Sequence, residues 1–274
     1  MDSAAPFPHP DANQPVTVYL LGGLAIAEGA HERQVPGLGA RLLAFLALRR
    51  RRLDRRAVAR SLWPELSESR ASARLRTSLW RLRAEGLGVL TANGAGVGLS
   101  PAVSVDLETA CEWAGRVIDG SASEQDLSWW SRDRGSVEVL PGWEDEWVVV
   151  DRERVRHRML HGLEALSRRL IEAGRPAEAV EPALVAVGFD PLRESAQRAL
   201  ISAHLAEGNV IDASRVFEDY RLLLEREIGL LPSPVLAAMM PKSAQLHPRR
   251  RPSGAPASTW ARQHADPAKP RPAR

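Results

Sequence analysis

The sequence predicts a mostly α-helical protein with a small N-terminal antiparallel sheet, one β-hairpin and an all-α repeat region toward its C-terminus. Three observations predict it. Residues 16–27 are β-branched and aromatic around Gly22-Gly23, the composition of short strands joined by a turn. Residues 53–99 hold two stretches of helical periodicity, then two short extended runs around Asn93-Gly94, a dipeptide suited to a tight hairpin. Residues 173–179 (AGRPAEA) and 207–213 (EGNVIDA) align at a spacing of 34, with Gly174 on Gly208 and Ala179 on Ala213. That is the tetratricopeptide period, in which glycine closes the turn and small alanines let paired helices approach.

A chain of 274 residues, 44% hydrophobic, has length for two domains with real cores. We divide it into 1–15, a disordered N-terminus; 16–110, the helix-and-hairpin domain; 111–240, the helical repeat domain; and 241–274, a disordered basic tail. The net charge of +3 conceals an asymmetry: residues 16–110 carry 14 Lys/Arg against 8 Asp/Glu, and 111–240 carry 15 against 23. Such a split is expected where one domain meets nucleic acid and the other protein. Cys111 is the one cysteine, so no intramolecular disulfide forms and a reducing cytoplasm is the expected compartment. Residues 1–15 lack the basic start and apolar run of a signal peptide. The run 16–27 is too short to cross a bilayer, so no membrane association is expected.

In chain order, strands are expected at 16–21, 24–27 and 33–35. A helix at 40–49 follows, with Leu42, Leu43, Phe45, Leu46 and Leu48 nearly all round it, which requires burial between the sheet and a helix pair. The pair begins at Asp54, an N-cap for a helix carrying Ala57, Val58 and Leu62 that Pro64 terminates. Its partner runs over 70–85 with Ala71, Leu75, Leu79 and Leu82 as the buried stripe. Strands at 89–92 and 97–99 close the domain, and Cys111 falls as a small buried residue on a helix beginning near Leu107. Residues 119–141, with Trp129-Trp130 and the apolar run 137–140, carry a weak signal and are expected to wrap one domain against the other. Beyond Trp143 a long helix at 146–173 has an apolar stripe of Val150, Val155, Met159, Leu163, Leu166 and Leu170. Helices at 177–187, 192–206, 210–226 and one after Ser233 complete the repeat.

Helix, turn, basic helix and hairpin in that order is the plan of a winged helix-turn-helix. Away from its apolar stripe the second helix turns out Arg74, Thr77, Trp80 and Arg81, the candidate base readers. The major groove admits one α-helix, and its bases are read by forked guanidinium groups and short polar side chains. Trp80 has two readings, contact with sugar and phosphate or packing under the neighbouring domain. Candidates for the phosphate backbone are Arg51, Arg52, Arg55, Arg70 and Arg76, with Thr91 and Asn93 on the hairpin. For the run 49–52 a solvated turn is an equal alternative.

LWPELSESRASARLRTSLWRLR, then VLTANGAGVGLSPAVSVDL, resembles the DNA-binding domain of the Streptomyces antibiotic regulatory proteins. WEDEWVVVDRERVRHRMLHGLEAL, AGRPAEAV, GFDPLRESAQRALISAHLAEGN and YRLLLEREIGLLPSP resemble the bacterial transcriptional activator domain that follows it in that family. Together the matches cover about 16–240. The resemblance implies a sequence-specific transcriptional activator that binds direct repeats beside a promoter in double-stranded DNA, two protomers in tandem, and recruits RNA polymerase holoenzyme. Members usually have Gly-Tyr entering the second wing strand where this chain has Gly96-Val97, which implies a shorter or less firmly packed wing.

A different class of function, a protein-interaction scaffold whose winged helix no longer reads DNA, fits the acidic repeat region and the missing wing tyrosine. An enzyme does not fit: no Walker loop, no nucleophile with an adjacent base and no phosphoacceptor domain is present, and no cofactor or metal is expected. Gly94, Gly96 and Gly98 read as wing glycines rather than a phosphate loop. His157 and His161 stand at metal-ligand spacing without companion ligands.

Overall fold

The structure is a computed structural model and describes residues 16–29, 31–35, 37–84, 86, 88–92, 96–129 and 138–240. The expected Asn93-Gly94 turn, the N-terminus 1–15, Trp130 and the basic tail 241–274 lie outside the described residues. The chain divides into units 1–232 and 233–274.

The first unit opens with β1 (Val16–Tyr19), β2 (Ala25–Glu28) and β3 (His31–Gln34), paired antiparallel in succession. Gly22 and Gly23 turn the chain at φ 74° and 136°, a region in which a Cβ is strained. The sheet is mixed rather than antiparallel, because β7 (Val103–Val105) joins β1 in parallel and the order is β3-β2-β1-β7. Three residues of which only Val103 and Val105 are buried carry too short an alternation to announce a strand. Asp106, the next residue, accepts the backbone N–H groups of Leu20 at 2.8 Å and Leu21 at 3.0 Å. The end of β1 is thereby fastened to the start of α4 (Asp106–Asp119).

Between them lie α1 (Gly37–Arg49), β4 (Leu53–Asp54), α2 (Arg55–Leu62), α3 (Glu68–Ala84), β5 (Leu90–Ala92) and β6 (Gly96–Leu99). Asp54 caps α2 by accepting from the N–H groups of Arg56 and Ala57, as expected of an aspartate there. Helix α1 is buried on nearly every side and packs against α2, α3, β6 and the long helix α6 (Glu146–Glu172). At Gly39 an added Cβ would stand 2.9 Å from Leu82 Cδ2, so this glycine sets how closely α1 approaches α3. Arg50 follows α1 at φ 47°, a left-handed conformation uncommon for a residue other than glycine. Its guanidinium meets Glu108 at 2.7 Å and donates to the Val103 carbonyl at 3.1 Å.

The region 138–143 does join the two halves. Val139 bridges Leu21, and the Leu140 N–H donates to the Leu20 carbonyl. Arg152 on α6 then donates to the carbonyls of Val139, Leu140 and Trp143. Against α1, α6 sets Trp147 edge-on to Phe45, ring centres 5.1 Å apart, between the ion pairs Arg41–Asp145 and Arg49–Asp151. Consequently Val150 is exposed and off the expected stripe, while Trp147, Val148 and Asp151 are buried in its place. One hydrophobic cluster runs from Val18 to Ala203.

Helix α5 (Glu124–Trp129) follows α4, and its Asp126 carbonyl accepts the buried Trp113 indole N–H. The repeat comprises α7 (Pro176–Phe189), α8 (Glu194–Ala206) and α9 (Val210–Ile228) behind α6. Gly174 and Gly208, the aligned glycines, both adopt positive φ at 74° and 84°. Ala179 and Ala213 are both fully buried, so the period corresponds to one structural unit. In the second unit Ser233 caps α10 (Pro234–Ala238) by accepting from the Leu236 N–H. No helix among the described residues is long and apolar enough to cross a membrane.

Candidate nucleic-acid interface

Helix α3 is placed by its inner face. Ala71, Leu75, Leu79 and Leu82 are buried as expected, with Ser78 between them donating to the Arg74 carbonyl. Each fully buried leucine contributes about 2 kcal/mol, so packing rather than propensity fixes this helix. The other faces are exposed, and Glu68, the one acid of the helix, sits in its first turn and is taken at 3.5 Å by Arg56 of α2.

At 100° per residue, Arg70, Arg74, Thr77 and Arg81 fall at spacings of four, three and four and form one outward stripe. The stripe is about 16 Å long at 1.5 Å per residue. Ala73 and Trp80 run beside it, and Trp80 is 68% exposed, so no neighbouring domain buries it among the described residues. Arg76 and Arg83 lie further round. Among the described residues, Arg70, Arg74, Arg76, Arg81 and Arg83 make no ion pair. Thr77 donates its hydroxyl to the Ala73 carbonyl at 3.2 Å, so outward it offers a methyl group and an acceptor lone pair.

The flanking candidates are held by the wing. β4 pairs with β6, Leu53 opposite Val97 and Asp54 opposite Gly96, and β5 pairs along the other edge of β6. Arg52 lies across this strand: a Cβ on Gly96 would meet its Nε at 2.8 Å, and one on Gly98 its Cα at 3.3 Å. The glycines are thus wing glycines for a steric reason. Gly96, Val97 and Gly98 are all buried, so strand β6 is firmly packed without the tyrosine, contrary to the expectation of a looser wing. Arg51 and Arg52 are exposed beside it and Arg55 is half-buried. Thr91 is exposed on β5 with its hydroxyl 3.5 Å from the Gly98 carbonyl, and Asn93 lies outside the described residues.

One residue of the site carries no sequence signal. Trp63, the residue before Pro64, is 1% exposed, and the Arg74 guanidinium carbon sits 5.9 Å from its ring centre. The aromatic-proline pair marks only the end of α2; Arg74 comes eleven positions after Trp63, and no local period links them.

Elsewhere the chemistry is sparse. His157 Nδ1 lies 2.9 Å from the Glu153 carbonyl, and His161 stands by Glu164 and Arg193. The described residues hold no group of three His, Cys, Asp or Glu able to bind a metal. Cys111 is half-buried on α4, and burial pushes its thiol pKa up, which disfavours the reactive thiolate.

Comparison with known proteins places this geometry. Residues 107–242 match the model of the bacterial transcriptional activator domain. The regulatory protein AfsR of Streptomyces coelicolor is 31% identical over 217 residues, which cover 76% of this chain and 22% of that protein. The chain therefore spans about a fifth of that relative's length. A solved structure of Mycobacterium tuberculosis EmbR in complex with a low-affinity phosphopeptide superposes with a TM-score of 0.65 at 23% identity, covering 85% of this chain and 69% of that one. It shares the fold, a winged helix followed by an all-α domain.

Proposed function

Because the chain belongs to the Streptomyces antibiotic regulatory protein family of transcriptional regulators, we propose that it binds a specific sequence in double-stranded DNA and activates the adjacent promoter. The observation that carries this reading is the exposed stripe Arg70, Arg74, Thr77 and Arg81 on a helix whose single acid is already paired. In the major groove, arginine donates in fork geometry to guanine O6 and N7, and the Thr77 methyl suits a thymine methyl. Arg74, Thr77 and Arg81 read bases, with Trp80 at their edge. Arg51, Arg52, Arg55, Arg70 and Arg76 neutralise phosphates, joined by Thr91 and Asn93 on the wing.

The division of labour follows the charge: 16–110 engages DNA and 111–240 engages protein. The protein partner is RNA polymerase holoenzyme, approached by two protomers side by side on a direct repeat in the cytoplasm. No residue here is assigned a catalytic role. Selection from random duplexes tests the reading: a recovered consensus containing two like-oriented half-sites supports it, and indifference to sequence overturns it in favour of a scaffold. Footprinting with polymerase present tests the recruited partner, since cooperative protection of both is expected.

A further inference from the structure

We propose that Trp63 is a positioning residue for base readout, its buried indole face holding the Arg74 guanidinium at the groove-facing stripe. The inference rests on α3 being the helix that enters DNA.

Trp63 is fixed from both sides along its backbone: its N–H donates to the Ala59 carbonyl at 3.0 Å, and its own carbonyl accepts from Leu66 at 3.2 Å. Its side chain is buried, yet the indole Nε1 has no hydrogen-bond partner. A buried tryptophan ordinarily finds an acceptor for that group, so hydrogen bonding does not orient this ring. The ring presents its face to a cation at 5.9 Å, within the range in which the ring quadrupole attracts a guanidinium. Arg74 makes no ion pair among the described residues, and the indole is the contact given to its charge.

A guanidinium drawn to a ring face by its charge keeps N–H donors free, and those donors are what read guanine. Arg70 and Arg81 share the stripe without such a platform among the described residues. An unsupported arginine must give up rotamer freedom on binding, whereas Arg74 has given up part of it beforehand. Discrimination should therefore be sharpest at the base pair that Arg74 contacts, and its sharpness should depend on the electron density of the Trp63 ring.

The test replaces Trp63 in the full chain with 5-fluorotryptophan and then with tetrafluorotryptophan, which drain the ring face while nearly preserving shape. Duplexes carrying each single-base change in the selected consensus are titrated, with Arg74→Ala identifying the base pair it reads. We expect discrimination at that pair alone to fall stepwise, about two- to fivefold for the fully fluorinated ring, at constant melting temperature and salt slope. Trp63→Phe combined with Arg74→Ala should cost less than the two single changes together. Undiminished discrimination, a loss spread evenly over all pairs, or an additive double variant overturns the proposal. A wild-type chain without any consensus overturns the DNA reading as well, whereas a consensus insensitive to fluorination removes the role of Trp63 alone.

Discussion

The arginines of α3 and those of the helices from α4 to α9 differ in what faces them. On α3 five arginines stand on a helix whose one acid is engaged by α2. In the repeat region Arg116 meets Asp126, Arg156 meets Asp190, Arg175 meets Glu124 and Glu178, Arg193 meets Glu164, and Arg221 meets Glu218 and Glu225. Unpaired cations repel one another and do little for stability. Of the paired ones, that of Arg193, mostly shielded from solvent, ties two helices together, while those of Arg221 lie within α9. Under the proposed function the same residue type serves binding in one region and architecture in the other, and substitutions should separate the two by which measurement moves.

The largest effect is expected at Arg193. Its guanidinium meets Glu164 at 2.6 Å, Ser195 donates to the same oxygen at 2.7 Å, and both charged side chains are mostly buried. Arg193→Ala strands a carboxylate between α6 and α8. It should cost about 3 kcal/mol, a fall of roughly 6–12 °C in melting temperature. DNA affinity measured well below that temperature should not change. A variant that melts normally would break the contrast from the architectural side.

Arg81→Ala should do the reverse. It removes an exposed side chain without a partner among the described residues, so the melting curve should stay put. Specific affinity should drop by about 1–3 kcal/mol, with relaxed preference at one base pair. Equal weakening on random DNA would reassign Arg81 to phosphate.

How much of this contrast could be seen in the sequence depends on the range of the interaction. Ala71, Leu75, Leu79 and Leu82 declare the inner face of α3 because they repeat within one helix. Gly174 and Gly208 declare the repeat because both close the same turn. Val150 reads as core from its spacing and is exposed instead, because only the approach of Arg49 and Phe45, about a hundred residues away in sequence, decides which side of α6 is buried. Strands β4 and β7 are two and three residues long, set by partners rather than by pattern. The outward arginines were legible for the same reason as the stripe they oppose. The platform under Arg74 was not, since a helix period reports the face of a side chain and says nothing of which loop lies beneath it.

Acid titration sharpens the architectural half. The Arg116 guanidinium, then the backbone N–H and hydroxyl of Ser123, hold the Asp126 carboxyl well below the usual carboxylate range. A group whose pKa is lower folded than unfolded adds stability above its unfolded value, about 3.9, and loses it as pH falls through the folded one. Arg116 is partly exposed, so about 1 kcal/mol is expected once screening is allowed for. Asp126→Asn should melt below the wild type at pH 7, and the two curves should converge toward about pH 2. A constant gap would mean that the charge is not what matters at this position.

The smallest effect tests whether unpaired arginine has one role or two. Arg51 is exposed beside Arg52, which lies across the buried glycines of β6, so its backbone is held at the wing and not on α3. A cation there can reach phosphate but no base edge. Each neutralised phosphate releases condensed counterions, so the slope of log affinity against log salt should become shallower by about 1 in Arg51→Ala. Specific and random duplexes should weaken by the same factor, leaving their ratio untouched. If the slope does not move, the run at 49–52 is a solvated turn and the binding face is confined to α3. If the ratio moves with it, the wing side of the domain reads sequence too, and the stripe is only half of the code.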